Sequence, residues 1–194
     1  MIYSYKKVVF PQNENQVLNT SYCRTLDKNS HEQLDFYLGK GEITDQKSKV
    51  HKYILLGTKF SLRILAKGSK WFCDGTFKVA PEGYKQIYIF MTKYENFTVP
   101  CLYLLLTSKK EILYNIAFNH IKSLCHTYNY AIETKSVMMD YELAARNAIK
   151  FVFEKIVPKD DYFHFVKCLW TRAKKEGLCK EMLLEDTCLL IAFF

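Results

Sequence analysis

The sequence predicts an α/β fold: a mixed sheet that begins as an antiparallel three-strand meander, gains further strands, and carries helices packed on both faces. Three observations lead there. Three strand-like runs follow one another between Lys70 and Thr107 with only short breaks, and consecutive strands with short connections pair antiparallel. The third run, Val99–Leu106, is almost continuously apolar, as a strand covered on both sides must be. Beyond it, segments of helical period alternate with short strand-like ones.

Residues 1–50 form the least regular part and are read as an irregular N-terminal extension. PQNENQ and LDKNSHEQ are polar and rich in breakers, GKGEITDQKSK reads as a loop, and short strands are expected around Lys7–Phe10 and Leu34–Leu38. Thr58–Ala66 predicts a short helix capped by Thr58, with Phe60, Ile64 and Leu65 on one face and Gly68 as its end. KWFCDGTFKV, QIYIFMTKY and TVPCLYLLLT are the meander strands. Pro81 and Gly83 break the first from the second, and a turn near Glu95–Asn96 separates the second from the third. Ser108 is the expected cap of a long helix through KKEILYNIAFNHIKSLCH, whose Ile112, Leu113, Ile116, Ala117, Ile121 and Leu124 recur at helical spacing.

SVMMD reads as a short strand ending on Asp140. YELAARNAIKFVFEKI is a second amphipathic helix with Leu143, Ala144, Ala148, Ile149, Val152 and Phe153 inward, closed by Pro158. YFHF is either a fifth strand or the entry into a third helix. That helix would bury Phe165, Val166, Leu169, Trp170 and Ala173, present Lys167, Arg172, Lys174 and Lys175 outward, and end at Gly177. The order β-β-β-α-β-α, followed by another strand and helix, is that of RNase H-like nucleases, so a core of this type is expected over residues 51–178. Residues 179–194 are read as the start of a helical insertion or a truncated end.

Composition narrows the function. With 49% hydrophobic and 25% charged residues the chain can build a packed core. The formal net charge is +8, and most of the excess lies early: Met1–Lys70 holds 12 basic and 6 acidic side chains. Lys47, Lys49, Lys52, Lys59, Arg63, Lys67 and Lys70 suit either a solvated surface or a track for DNA phosphates. The 14 Tyr and 14 Phe suit a bulky core, with base stacking as the sharper alternative. The seven cysteines form no CxxC pair and no zinc-finger spacing, which points to a reduced, intracellular protein. No signal peptide and no membrane-spanning run is visible. Phosphate-binding glycine loops, dinucleotide fingerprints and nucleophile elbows are also absent.

Two acids stand where this architecture could use them. Asp74 lies in the first meander strand, in WFCDGTF, and Asp140 ends the fourth strand, in VMMDYELAA. Neighbouring strands would bring them together. Adjacent carboxylates repel unless a divalent cation lies between them, and two such ions can activate water and stabilise a leaving oxygen at a phosphodiester. The alternative is a pair of strand-end acids that cap turns or helices, and Asp140 is itself a reasonable N-cap.

The blocks WFCDGTFKVAPEGYKQIYIF, VPCLYLLLTSKKEILYNIAFNHIK, VMMDYELAARNAIKFVF and YFHFVKCLWTRAKKEGL, in that order and spacing, resemble the transposase domain of Mutator-like elements (MULE) over about Tyr53–Leu178. The resemblance implies that Asp74 and Asp140 are the first and second catalytic acids and metal ligands, with Mg²⁺ or Mn²⁺ as cofactor. It also implies an active-site-adjacent role for Asp161 and His164, in the position of a C/D-x-x-H signature; taken alone, His164 between Phe163 and Phe165 reads as a hydrogen-bonded core residue. DNA is the implied partner, within an oligomeric transposition complex in the nucleus, and Lys67, Lys70, Lys78, Lys167, Arg172, Lys174 and Lys175 are the expected phosphate contacts.

Such transposases take a third acid from well beyond the second. Glu176, Glu181 and Glu185 come too early for it, and the chain closes on the apolar CLLIAFF, as a fragment would. Two functions therefore stand beside active transposition. One is a domesticated or decaying remnant that binds DNA or protein without catalysis. The other is an RNase H-like nuclease acting on RNA or hybrids.

Overall fold

A seven-stranded mixed sheet dominates the computed structural model, which describes residues 24–26, 33–77 and 79–177. Its strands are β3 (Tyr37–Thr44), β4 (Val50–Leu56), β5 (Lys70–Thr76), β6 (Gln86–Tyr94), β7 (Phe97–Leu106), β8 (Ser136–Met139) and β9 (Val157–Asp160), in the spatial order β3-β4-β7-β6-β5-β8-β9. β1 (Arg24–Leu26) and β2 (Gln33–Asp35) pair as a separate antiparallel ribbon. The helices are α1 (Lys59–Lys67), α2 (Glu111–Thr127), α3 (Leu143–Val152) and α4 (Tyr162–Lys175). The chain divides into two compact units, Met1–Lys159 and Asp160–Phe194, so α4 belongs to the second. No described helix is long and apolar enough to cross a membrane.

The expected meander is present. β5 pairs antiparallel with β6, and β6 with β7, while β8 joins the free side of β5 in parallel. Pro100 sits in β7 where the register with β6 shifts, at the step from Phe90 to Met91. Proline lacks the ladder donor and is tolerated at such a bulge. Pro81 and Gly83 fall between β5 and β6 as anticipated.

α1, α2 and α3 share one core with one face of the sheet. Trp71 and Cys73 of β5, Tyr88 and Phe90 of β6, and Leu102, Leu104 and Leu106 of β7 are buried there with Leu62, Tyr114, Phe118 and Ile149. Much of that core is aromatic. Trp71 meets Phe90 and Phe153 edge-on, at ring-centroid distances of 5.6 and 5.1 Å, and Phe118 meets Phe90 at 5.3 Å. Edge-to-face pairs of this kind add to the gain from burial alone. A smaller cluster around Ile54 and Leu105 fills part of the opposite face. Helices were expected on both faces; among the described residues of this unit they cover one.

Local signals explain most helix ends. The Thr58 side chain accepts from the Ser61 N–H at 3.0 Å and Ser61 Oγ accepts from the Thr58 N–H at 2.9 Å, a reciprocal capping box. The chain leaves α1 at Gly68, as expected. The buried face of α1 is Leu62, Leu65 and Ala66, whereas Phe60 is 51% exposed. Ser108 does not cap α2: its hydroxyl is buried without a hydrogen-bond partner among the described residues, and the N-cap is Lys110. The buried stripe of α2 follows Leu113, Tyr114, Ala117, Phe118, Ile121 and Cys125, one step round from the expected one. Ile112 is 40% exposed and Leu143 of α3 69%.

The largest difference lies before α1. GKGEIT, expected as a loop, forms most of β3, which pairs with β4 in a hairpin closed by Asp45–Lys49. β4 in turn pairs with β7, so the hairpin extends the meander edge. Gly39, at φ 142, accompanies a register shift in β3, and a Cβ there would lie 2.4 Å from the His120 ring. The glycine that made the segment read as a loop is what lets α2 approach the strand. Further along, YFHF is the entry into α4, the second of its two expected readings; the fifth strand is Val157–Asp160, and Pro158 lies within it, beyond the end of α3. In the second unit Tyr162 and Phe165 make a tilted ring contact and Lys174 lies over Trp170. Gly177 takes a positive φ after the last turn of α4. Lys7–Phe10 and residues 179–194 lie outside the described residues.

Candidate functional site

Asp74 and Asp140 sit where the parallel pairing of β5 with β8 ends. β5 and β8 run in register from Lys70↔Ser136 to Cys73↔Met139. Asp74 and Asp140 are the next residues along the two strands' paths, and the register continued by one step sets them opposite one another. Adjacent strands are about 4.8 Å apart. Cys73 and Met139 are buried beneath α1–α3, and strand side chains alternate, so Asp74 turns to the other face. It is exposed, while Asp140 is half-buried. No hydrogen bond or ion pair to Asp74 is found among the described residues. Both carboxylates are felt next door: burial pushes the Cys73 thiol well up, and the negative charges of Asp140 and Asp74 add to the shift.

A polar network borders the pair. The Glu142 backbone N–H donates to Asp140 Oδ1 at 3.3 Å, which fixes the acid in a tight turn before α3. In this role Asp140 acts just outside the helix; the N-cap position itself is Glu142, whose side chain does not cap. Glu142 Oε1 accepts from the Tyr114 hydroxyl at 2.6 Å, and Gln86 Nε2 donates to that same phenol oxygen. Burial holds the Tyr114 hydroxyl far above the usual phenol range, with the Glu142 hydrogen bond and charge adding to it, so Tyr114 is a fixed donor. Lys109 Nζ lies 3.5 Å from Glu142 Oε2 and 3.8 Å above the centroid of the Phe77 ring. A Cβ on Gly75 would come within 3.3 Å of Gln86 Oε1 and 3.7 Å of Phe77 Cζ, so this glycine keeps a side chain out of the space beside the amide.

The other expected residues are spread more widely. Lys67 ends α1. Lys70 opens β5 with Nζ 5.0 Å from the Phe72 ring centroid, four residues and about 13 Å along the strand from Asp74. Lys78 lies outside the described residues. Asp161 precedes α4, its carbonyl accepting from the Phe165 N–H at 3.1 Å, and His164 falls in the first turn of that helix. Lys167, Arg172, Lys174 and Lys175 are exposed along α4. All six belong to the second unit. Among the described residues no group of three or more His, Cys, Asp or Glu side chains could hold a metal ion.

Gln86, Tyr114, Glu142, Lys109 and Phe77 were not anticipated. Gln86 carried a legible signal, since it shares the inward phase of β6 with Tyr88, Phe90 and Thr92, and a buried amide requires partners. Glu142 carried none beyond its place two residues after Asp140.

The family model of the MULE transposase domain matches residues 70–168, just over half of the chain. No curated protein and no solved structure matches it.

Proposed function

The chain belongs to the MULE transposase domain family, and on that premise we propose that it carries a DNA transposase catalytic core, cleaving and transferring DNA strands with a divalent cation. The observation that carries this reading is the parallel β5–β8 register, which ends immediately before Asp74 and Asp140. An RNase H-like core is supported by the strand order β7-β6-β5-β8-β9, with the first meander strand between the second strand and the parallel one.

The donor set fits Mg²⁺ or Mn²⁺. Two carboxylates lie side by side, and Asp74 has no cationic partner among the described residues. Mg²⁺ is commonly held by one or two carboxylates together with substrate phosphates. When bound, the ion supplies charge neutralisation at the phosphodiester and makes the attacking water more acidic. Asp74 and Asp140 hold it, and the Glu142 N–H restrains Asp140 by donating to its Oδ1. Asp161 and His164, at the family's C/D-x-x-H position, are assigned a supporting role in the same chemistry. Lys67, Lys70, Lys78, Lys167, Arg172, Lys174 and Lys175 are candidate phosphate contacts, giving salt-sensitive affinity with little sequence choice.

The test is cleavage of a labelled DNA duplex by the purified protein with Mg²⁺ or Mn²⁺, against EDTA. Nicking that requires the ion and is lost in both Asp74→Asn and Asp140→Asn is the expected result. Cleavage that persists in Asp74→Asn, or in EDTA, overturns the assignment. Salt-sensitive binding without any cleavage would make the chain a non-catalytic, DNA-binding remnant, and a preference for RNA–DNA hybrids would move it to the nucleases.

A further inference from the structure

We propose that Lys109 is a phosphate-contacting residue of this site, its ammonium stored between Phe77 and Glu142 until a nucleic-acid backbone arrives. The inference rests on the DNA-processing reading above and adds a specific contact to it. Lys109 lies on the segment between β7 and α2, Phe77 immediately follows β5, and Glu142 precedes α3, so three separate connections meet at one ammonium. Glu142 is two residues from Asp140 and bonded to it through its backbone, which puts Lys109 on the border of the acid pair.

The way Lys109 is held suggests a stored charge more than a structural bond. Its Nζ is 3.5 Å from Glu142 Oε2, and that oxygen is buried with no hydrogen-bond partner. The contact is therefore an ion pair without a hydrogen bond, and among the described residues the three donors of the ammonium remain unspent. The Phe77 ring beneath it attracts the charge through its electron-rich face and takes no N–H in the way an acceptor oxygen would. Lys109 is 46% exposed, whereas Glu142 is 12% exposed and tied down by Tyr114. The anchor is fixed and the cation can leave it.

Glu142 also explains why Lys109 does not neutralise Asp74 or Asp140. A cation drawn onto those acids would compete with a divalent ion. Drawn to Glu142, it is held by a residue whose backbone bonds Asp140, and it leaves both acids open. A phosphodiester brings non-bridging oxygens that accept strongly from an ammonium, and charge developing on them during displacement is what a positioned cation stabilises. The exposed Phe77 ring offers an apolar surface for the sugar or base next to that phosphate.

The test is DNA binding measured without catalysis, by fluorescence anisotropy of a labelled duplex in EDTA across a NaCl series. Each phosphate contact contributes about 0.9 to the slope of log K against log salt. Lys109→Ala is expected to lower the slope by about that amount with an unchanged melting curve, and Lys109→Arg to restore it. Glu142→Gln, which releases the ammonium, is expected to tighten binding at low salt. Lys93→Ala removes an exposed charge near the other end of β6 and is expected to leave the slope unchanged. A Lys109→Ala slope equal to wild type, or an equal loss in Lys93→Ala, overturns the inference while leaving the DNA-processing reading in place. A wild-type protein with no salt-dependent DNA binding overturns both.

Discussion

Asp45 and the Asp74–Asp140 pair are carboxylates in the same unit held in opposite ways. Asp45 Oδ1 accepts from the Lys47 and Lys49 N–H groups at 2.9 Å each. Asp45 Oδ2 meets His51 Nε2 at 3.1 Å and pairs with Lys110. Lys110 first, then His51 and the backbone donors, hold that carboxyl well below the usual carboxylate range. The result ties the β3–β4 turn to the start of α2. Asp74 has no such partner among the described residues, and Asp140 has a single backbone donor. One acid has spent its acceptor capacity inside the protein. Asp74 has kept its own and Asp140 most of its own, and that difference is what the proposed cation site rests on.

The contrast is sharpest in activity. Asp74→Asn is expected to lower metal-dependent DNA cleavage by a factor on the order of 10³, and Asp45→Asn to leave the rate per folded molecule unchanged. Equal losses in the two variants, measured at a temperature where both are folded, would erase the distinction. Metal linkage comes next. Mg²⁺ at a hundred times its dissociation constant should stabilise the wild-type protein by about 2.7 kcal/mol, seen as a higher melting temperature. Asp74→Asn and Asp140→Asn should abolish that rise and Asp45→Asn should keep it.

Without metal the order reverses. Asp45→Asn should melt several degrees below wild type near pH 7. The Asp45 pKa is depressed on folding, so its contribution is present above the unfolded value of about 3.9 and is lost as pH falls toward the folded one. The deficit of Asp45→Asn should therefore shrink below about pH 4, and a gap that stayed constant down to pH 2 would mean that charge is not its cause. The smallest effect is the relief of repulsion. Two unit charges about 5 Å apart near water oppose one another by about 1 kcal/mol. Asp74→Asn in EDTA should thus melt no lower than wild type, and marginally higher at low salt.

These contrasts follow how legible each region is in the sequence. The meander and its parallel partner could be read because each strand is a continuous aromatic or β-branched run between clear breakers, with Pro81 and Gly83 on one side and Glu95–Asn96 on the other. Asp74 and Asp140 could be placed within that pattern, one in β5 and one just after β8, while their roles came from the family resemblance alone. The β3–β4 hairpin was hidden because its outer strand carries Gly39, Gly41, Lys40 and Glu42, residues that suit an edge as well as a loop. The helix faces slipped because aliphatic residues guided them. The core selects rings, so Tyr114 and Phe118 point inward and Ile112 does not. Lys109 and Glu142 were out of reach for another reason: their meaning comes from three connections meeting, which no local window contains.

The hairpin has a consequence for modularity. The family match begins at residue 70, yet Tyr53 and Leu55 of β4 and Leu62, Leu65 and Ala66 of α1 all belong to the main core, and β4 occupies one side of β7. A chain cut back to its family-matching residues would keep both acids and lose part of the floor on which their sheet rests. It would also leave the apolar β7 as an open edge, a surface that recruits other strands. The smallest unit that keeps this core covered is therefore longer than its family match, and recombination that moved residues 70–168 alone would deliver a protein prone to aggregate.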